Sequence, residues 1–158
     1  MAYHEDLLQQ ASDLVHKRNL NQADLRRSVS TAYYALFHLL ISETVAHWSL
    51  DSSRNALSRM FEHSTMKRVS GKVSDSIQFP FHGENPVAVL NLKTVAQAFC
   101  QLQDKRKIAD YDNATHWTHT EALREVTAAA KAFSCWQSVK HEKIAQGYLV
   151  SLLIKPRD

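Results

Sequence analysis

Apolar residues recur every three or four positions along most of the chain, which is the spacing of an amphipathic α-helix. The pattern is clearest over 22–48, where apolar side chains form one broad stripe. The stripe consists of Leu25, Val29, Ala32, Tyr33, Leu36, Phe37, Leu40 and Ile41. It predicts a long central helix with one wide face in the core.

The same spacing predicts further helices on both sides of the central one. We expect them at 3–17, 54–72, 87–109, 119–141 and 142–154. The run LVSLLI in the last segment would also suit a strand, but no partner strand is visible elsewhere, so a helix is favoured. The segment 73–85, which contains Pro80, is predicted to be the main loop, and 110–117 a shorter polar one.

Three of these helices begin with residues suited to capping. Asn21 precedes a first turn that carries an acid, and Asn85 precedes Pro86, which suits the first helical position. Thr118 is followed three residues later by Glu121, the spacing of a capping box. The predicted helix starts therefore have local chemical support.

Composition narrows the fold class. The chain has 158 residues with 44% hydrophobic and 22% charged side chains, which suits one globular domain over 1–158. It contains only 3 Gly and 3 Pro, whereas a sheet protein of this length needs many turns. We therefore predict an all-α protein, an antiparallel up-and-down bundle of four core helices with one or two additional helices.

Charge and cysteine content indicate which partners and which cellular compartment suit the protein. The formal net charge is +3, so an anionic partner is allowed but not required. The thiols of Cys100 and Cys135 lie in apolar helical stretches outside any C-x-x-C motif, which predicts buried free thiols and a reducing compartment. No apolar run reaches membrane-spanning length, and the first residues carry no signal-peptide pattern. We expect a cytoplasmic protein without a membrane partner.

One acidic and histidine-rich stretch is a candidate metal site. Asp110, Asp112, His116 and His119 lie close together in DYDNATHWTH. Their spacing matches no helical H-E-x-x-H motif, and a solvated polar loop explains them better. The chain also lacks a glycine-rich phosphate loop and a nucleophile motif. We therefore predict no metal and no cofactor.

A polar stripe on the central helix is the first candidate binding feature. Arg27, Thr31, Tyr34 and His38 are spaced four, three and four residues apart, so they lie along one side of the helix. An arginine, a phenol and an imidazole in a row could hold a phosphate or a base. The alternative is a helix flank that packs its aromatic stems and leaves its polar tips in water.

A second candidate feature ends the predicted helix 87–109. The triplet from Lys105 through Arg106 to Lys107 is followed by Asp110 and Tyr111. Cations suit the negative end of the helix dipole, and Arg106 can pair with Asp110 one turn later. The alternative is an anion-binding patch with acidic and aromatic neighbours.

Together these motifs resemble the HEPN superfamily (higher eukaryotes and prokaryotes nucleotide-binding). The resemblance rests on RRSVSTAYYALFH at 26–38 and KRKIADYD at 105–112, and it covers the chain from the first to the fifth predicted helix. It implies an up-and-down bundle that forms homodimers near the second motif. Many HEPN proteins are metal-independent ribonucleases of toxin–antitoxin, CRISPR and phage-defence systems, whereas others bind nucleotides or are non-catalytic partners.

The ribonuclease branch of that family carries an arginine followed, after four to six residues, by a histidine. In this chain Arg106 matches the arginine, but Asp110 and Tyr111 stand where the histidine is expected. In the family the histidine transfers protons and the arginine stabilises charge on the phosphate. No catalytic residue is therefore assigned from the sequence.

Three functions remain open at this stage. The first is non-catalytic binding of RNA, a nucleotide or a protein partner by a homodimer. The second is a metal-independent ribonuclease with a rearranged site, using Arg27 or Arg106 with His38 or His116. The third is an accessory or antitoxin-like subunit that binds a protein partner such as a nucleotidyltransferase. The candidate ligand or RNA contacts are Arg27, Tyr34, His38, Lys105, Arg106, Asp110 and Tyr111.

Overall fold

The computed structural model of the chain describes residues 2–75, 81 and 83–154. These residues form seven α-helices and no strand, which confirms the all-α class. The helices are α1 (Tyr3–Val15), α2 (Gln22–Val45), α3 (Asp51–Ser58), α4 (His63–Asp75), α5 (Pro86–Tyr111), α6 (His119–Val139) and α7 (Lys143–Ser151). The up-and-down order of the bundle stays a prediction.

The helix α2 lies at the centre of the bundle, as its broad apolar stripe predicts. It packs against α1, α5 and α6, and α6 also contacts α1 and α5. Fully buried side chains from all four helices, such as Leu36, Phe99 and Trp136, belong to one hydrophobic cluster. The shorter helices pack around this group, with α4 on α5 and α7 on the ends of α2, α4 and α5.

The predicted caps are confirmed at the three helix starts. The Asn21 side chain accepts a hydrogen bond from the backbone N–H of Asp24 at 2.9 Å. Thr118 and Glu121 exchange hydrogen bonds of 3.2 Å in both directions, which completes a capping box. The side chain of Asn85 accepts from the first turn of α5. At these three points the start of the helix is therefore fixed by residues that are close together in the sequence.

The single helix predicted at 54–72 is wrong, because the chain forms two helices there. The first begins earlier, at Asp51, and the second begins at His63. α3 buries no residue, whereas α4 packs a buried stripe against α5, and a non-helical turn separates the two. In the turn between them Phe61 enters the core, whereas Met60 beside it is 64% exposed.

Other boundaries also differ from the prediction. Val73, assigned to the main loop, is a buried residue of α4, and the predicted loop residues 76–80 and 82, including Pro80, lie outside the described residues. Asp110 and Tyr111 belong to α5 rather than to the loop after it. The described chain therefore has three helices beyond the four that surround the core, instead of one or two.

Within the part of the chain that the structure describes, no helix combines the length and apolarity needed to cross a bilayer.

Candidate functional site

The polar stripe of α2 lines an open groove against α1. The groove has a volume of about 530 Å³. Its walls are Tyr3, Leu7, Gln10 and Leu14 of α1 with Arg27, Ser30, Thr31, Tyr34 and His38 of α2. All four residues of the predicted stripe line this groove, with the aromatic stems packed and the polar groups facing a common space. We call this the α1–α2 groove.

The groove combines one exposed cation with aromatic and imidazole rings. Arg27 is exposed, whereas Tyr34 and His38 are half-buried. The His38 ring packs edge-on against Tyr3, with ring centroids 4.9 Å apart. Burial and then the neighbouring His4 lower the pKa of His38, so its imidazole favours the neutral form. Such a surface offers a phosphate contact beside rings on which a base can stack.

The floor of the groove connects α2 to the second sequence motif on α5. The Ser30 hydroxyl donates a hydrogen bond to the Asp110 carboxylate at 3.3 Å. The Arg106 guanidinium lies over the rings of Tyr34 and Tyr33, with its Cζ atom 5.6 Å and 5.1 Å from the ring centroids. The two motifs are far apart in sequence, and the fold brings them into contact through these side chains.

Arg106 is an almost fully buried cation, with only 8% of the residue exposed. Its nearest acid is Asp110, with Nη1 and Oδ2 3.9 Å apart, and its Nε atom has no hydrogen-bond partner in the described structure. The two tyrosine rings therefore supply much of its stabilisation, since a desolvated cation is attracted to aromatic faces. The positive charge therefore lies next to the ring of Tyr34, a residue that lines the groove.

His63 completes this cluster, and the sequence analysis missed it. Its Nδ1 atom lies 2.5 Å from the Tyr33 hydroxyl oxygen, and its ring stacks on Phe37 with centroids 4.3 Å apart. Burial raises the pKa of Tyr33, so the hydroxyl stays protonated and can donate to neutral His63. Burial first, and then Arg106, lower the pKa of His63. No motif marks this histidine in the sequence, because its partners come from α2 and α5.

The remaining candidates of the second motif point away from the groove. Lys105 lines a separate cavity of about 170 Å³ together with Trp117 and Glu125. Tyr111 is 75% exposed at the end of α5. The basic triplet therefore does not form one patch: Arg106 turns inward, Lys105 turns toward α6, and Lys107 is exposed.

Arg26 is a second residue whose role the sequence did not reveal. Its guanidinium donates hydrogen bonds to the carbonyl oxygens of Ala109, at 2.9 Å, and Thr115, at 2.5 Å. These bonds hold the last turn of α5 and the loop after it against the start of α2. Gln22 adds two more bonds to the backbone of Trp117. The role of Arg26 is therefore to position the α5 motif rather than to bind a ligand.

The acidic and histidine-rich stretch does not converge on one point. The Asp112 carboxylate accepts hydrogen bonds from its own loop, including the Thr115 hydroxyl, and these lower its pKa. His119 is hydrogen-bonded to the carbonyl oxygen of Val15, and His116 is exposed. Among residues 2–75, 81 and 83–154, no three His, Cys, Asp or Glu side chains are grouped as metal ligands.

Both thiols are free, but they are half-buried rather than buried as predicted. Cys100 donates a weak hydrogen bond to the Lys67 carbonyl oxygen, and burial raises its pKa to about 11. A thiol with such a pKa is a poor nucleophile near neutral pH.

No family model, curated protein or solved structure matches this chain. The resemblance to HEPN proteins therefore rests on the two motifs alone.

Proposed function

We propose that this chain is a HEPN-like protein that binds RNA or a nucleotide in the α1–α2 groove as a homodimer, without catalysing a reaction. One observation carries the proposal: the two motifs that resemble the family meet at this groove, through Ser30 with Asp110 and Tyr34 with Arg106. The groove is lined by residues of the first motif, and residues of the second motif contact two of them, so this is the place where a ligand would depend on both motifs.

The groove has chemistry suited to a nucleotide unit. Exposed Arg27 can pair with a phosphate, and guanidinium–phosphate pairs are among the stronger hydrogen-bonded contacts. A base can stack on the rings of Tyr34 or Tyr3, because every base has a π face. The buried charge of Arg106, which does not line the groove, adds positive potential next to Tyr34. RNA and a free nucleotide share this chemistry, so the experiment must separate them.

Removing the exposed cation should weaken binding selectively. We expect Arg27→Ala to reduce affinity for a labelled single-stranded RNA by about tenfold or more, because a charge-assisted contact to phosphate is lost. The plot of log affinity against log salt should become less steep by about one unit, the contribution of a single phosphate contact. Fluorescence anisotropy with the RNA, and calorimetry with a mononucleotide, would measure both ligands.

Lys105→Ala is the matched control, because it removes the same charge from a side chain that faces α6 instead of the groove. We expect this variant to bind RNA within about twofold of the wild type, since only long-range attraction changes. Equal losses in the two variants would contradict a site in the groove. Binding of the mononucleotide but not of RNA would identify the protein as a nucleotide binder.

The homodimer in this proposal comes from the resemblance, which implies contact near the second motif. Tyr111 supports such a contact, because a large aromatic side chain is 75% exposed there at the end of α5.

A ribonuclease is a second candidate, favoured by two imidazoles with lowered pKa values, His63 beside Arg106 and His38 in the groove. His38 lies in the groove, and a neutral imidazole can act as a general base. If the protein cleaves RNA in EDTA, cleavage should be lost in His38→Ala. His116→Ala should retain it, because that side chain is exposed on the loop after α5. Intact RNA at high protein concentration and several pH values would exclude this candidate.

A further inference from the structure

One amide side chain, that of Gln10, is among the residues that line the α1–α2 groove. Gln10 is exposed on α1, in a row with Tyr3, Leu7 and Leu14. Within the described part of the chain its amide makes no hydrogen bond. A glutamine amide offers a hydrogen-bond donor and an acceptor side by side, which is the pattern needed to read the edge of a nucleobase.

Contacts near both ends of the groove place Gln10 at its middle. At one end the ring of Tyr3 meets the ring of His38, with centroids 4.9 Å apart. Beyond the other end the Lys17 ammonium pairs with the Asp24 carboxylate at 3.3 Å. Gln10 is seven residues from Tyr3 and seven from Lys17 in the sequence. It therefore lies about 10 Å along α1 from the ring pair, since a helix rises 1.5 Å per residue.

The α2 residue at the same level is Thr31, which is seven residues from both His38 and Asp24. Tyr34 lies one turn away on one side of Thr31, and Arg27 lies one turn away on the other. Gln10 is thus placed opposite the stretch of α2 between a stacking ring and an exposed cation. A base on Tyr34 would present its edge to Gln10 while its phosphate reaches Arg27.

The amide of Gln10 can distinguish adenine from guanine at the base edge that carries N7. There adenine presents the N6 donor beside the N7 acceptor, and these match the oxygen and the N–H of a glutamine side chain. Guanine presents two acceptors at the same edge, so the amide oxygen would lose its contact with water without gaining a partner. Pyrimidines have no N7. The nearby Ser30 hydroxyl already donates its hydrogen to Asp110.

We propose that Gln10 makes the α1–α2 groove select adenine, in RNA or in a free nucleotide, by pairing with N6 and N7 of a base stacked on Tyr34. This inference rests on the proposed function and adds the base selectivity that the other contacts do not supply. Arg27 recognises a phosphate and the rings recognise a π face, and both are common to all nucleotides.

Fluorescence anisotropy with labelled uridine strands that differ only at one central base would measure the selectivity. We expect a central adenine to be bound about tenfold more tightly than a central guanine, a typical discrimination for one bidentate contact to a base. A central 7-deazaadenine, which keeps N6 but lacks N7, should lose most of this advantage. Calorimetry with AMP and GMP makes the same comparison for a free nucleotide.

Gln10→Met removes the amide and keeps the length of the side chain, so strands with adenine and guanine should then bind alike. Gln9→Met is the matched control, because this neighbouring glutamine lines a different groove, against α6, and donates to the Asp13 carboxylate at 2.8 Å. The control should keep the wild-type preference. Arg27→Ala should weaken both strands by the same factor, since it loses a contact to phosphate.

The outcomes separate this inference from the proposed function. Equal binding of the adenine and guanine strands by the wild type, with both weakened in Arg27→Ala, would overturn the selection of adenine and leave the proposed function intact. A preference for adenine that persists in Gln10→Met would overturn the role of Gln10, and full binding of 7-deazaadenine would overturn recognition through N7. If no strand and neither nucleotide binds, the proposed function fails together with this inference.

Discussion

Replacing Arg106 by alanine is expected to lower the free energy of unfolding by about 2 to 4 kcal/mol, because the change removes buried packing and a cation–π contact together. The guanidinium lies over Tyr33 and Tyr34, and the residue is only 8% exposed. The variant also leaves the Asp110 carboxylate without its cation. Alanine cannot fill the space between α2 and α5, so a cavity remains.

Arg106→Met separates the contribution of packing from that of charge. Methionine keeps most of the volume and carries no charge, so we expect a loss below about 1.5 kcal/mol. Urea unfolding of both variants, followed by circular dichroism, would measure the difference. Equal losses for alanine and methionine would mean that the charge, and not the packing, stabilises this contact. A folded methionine variant also allows RNA binding to be measured without the buried cation.

The sequence was sufficient for features that depend on neighbours in the chain. The stripe of α2, its Asn21 cap and the Thr118 capping box are set within a few residues, and all are confirmed. The break between α3 and α4 was not predicted, because it follows from what the two helices pack against. Phe61 and Met60 are both apolar, and only the tertiary structure decides which of them is buried.

The candidate site was also predicted only in part, because some of its contacts join segments that are distant in the sequence. Helical spacing places Arg27, Tyr34 and His38 on one side of α2, and they do share the groove. Spacing cannot show that Tyr3 of α1 supplies the opposite wall. Nor does it show that Arg26 fixes the end of α5 through backbone carbonyls, since its partners lie more than eighty residues away.

The basic triplet is a case in which the sequence suggests one shared surface that the fold does not form. Three consecutive cations suggest one patch, but adjacent residues of a helix point about 100° apart. Lys105, Arg106 and Lys107 consequently have three different surroundings. Arg106 alone reaches the aromatic cluster, where burial changes its role from a surface charge to part of the support for the groove.

Acid is expected to destabilise the fold as the pH falls below about 6.5, the ordinary pKa of a histidine side chain. Burial lowers the pKa values of His38 and His63 in the folded protein, so below that pH the unfolded chain binds more protons than the folded one. The free energy of unfolding then decreases on acidification, by at most about 1.4 kcal/mol per pH unit for each imidazole. Urea unfolding between about pH 8 and 5.5 would measure this slope, within the histidine titration range.

His63→Asn tests whether His63 is one source of the slope. Asparagine does not titrate, and its side-chain oxygen can still accept the hydrogen bond of the Tyr33 hydroxyl, so the variant should lose part of the acid sensitivity. His141→Asn, at an exposed position, should keep the wild-type slope. Glu125 acts in the opposite direction at lower pH, because burial raises its pKa and acid then favours the folded state. For His63 itself, an unchanged slope in His63→Asn would show that its imidazole remains accessible to protons in the folded protein. It would also show that the cluster around Arg106 opens more readily than its packing implies.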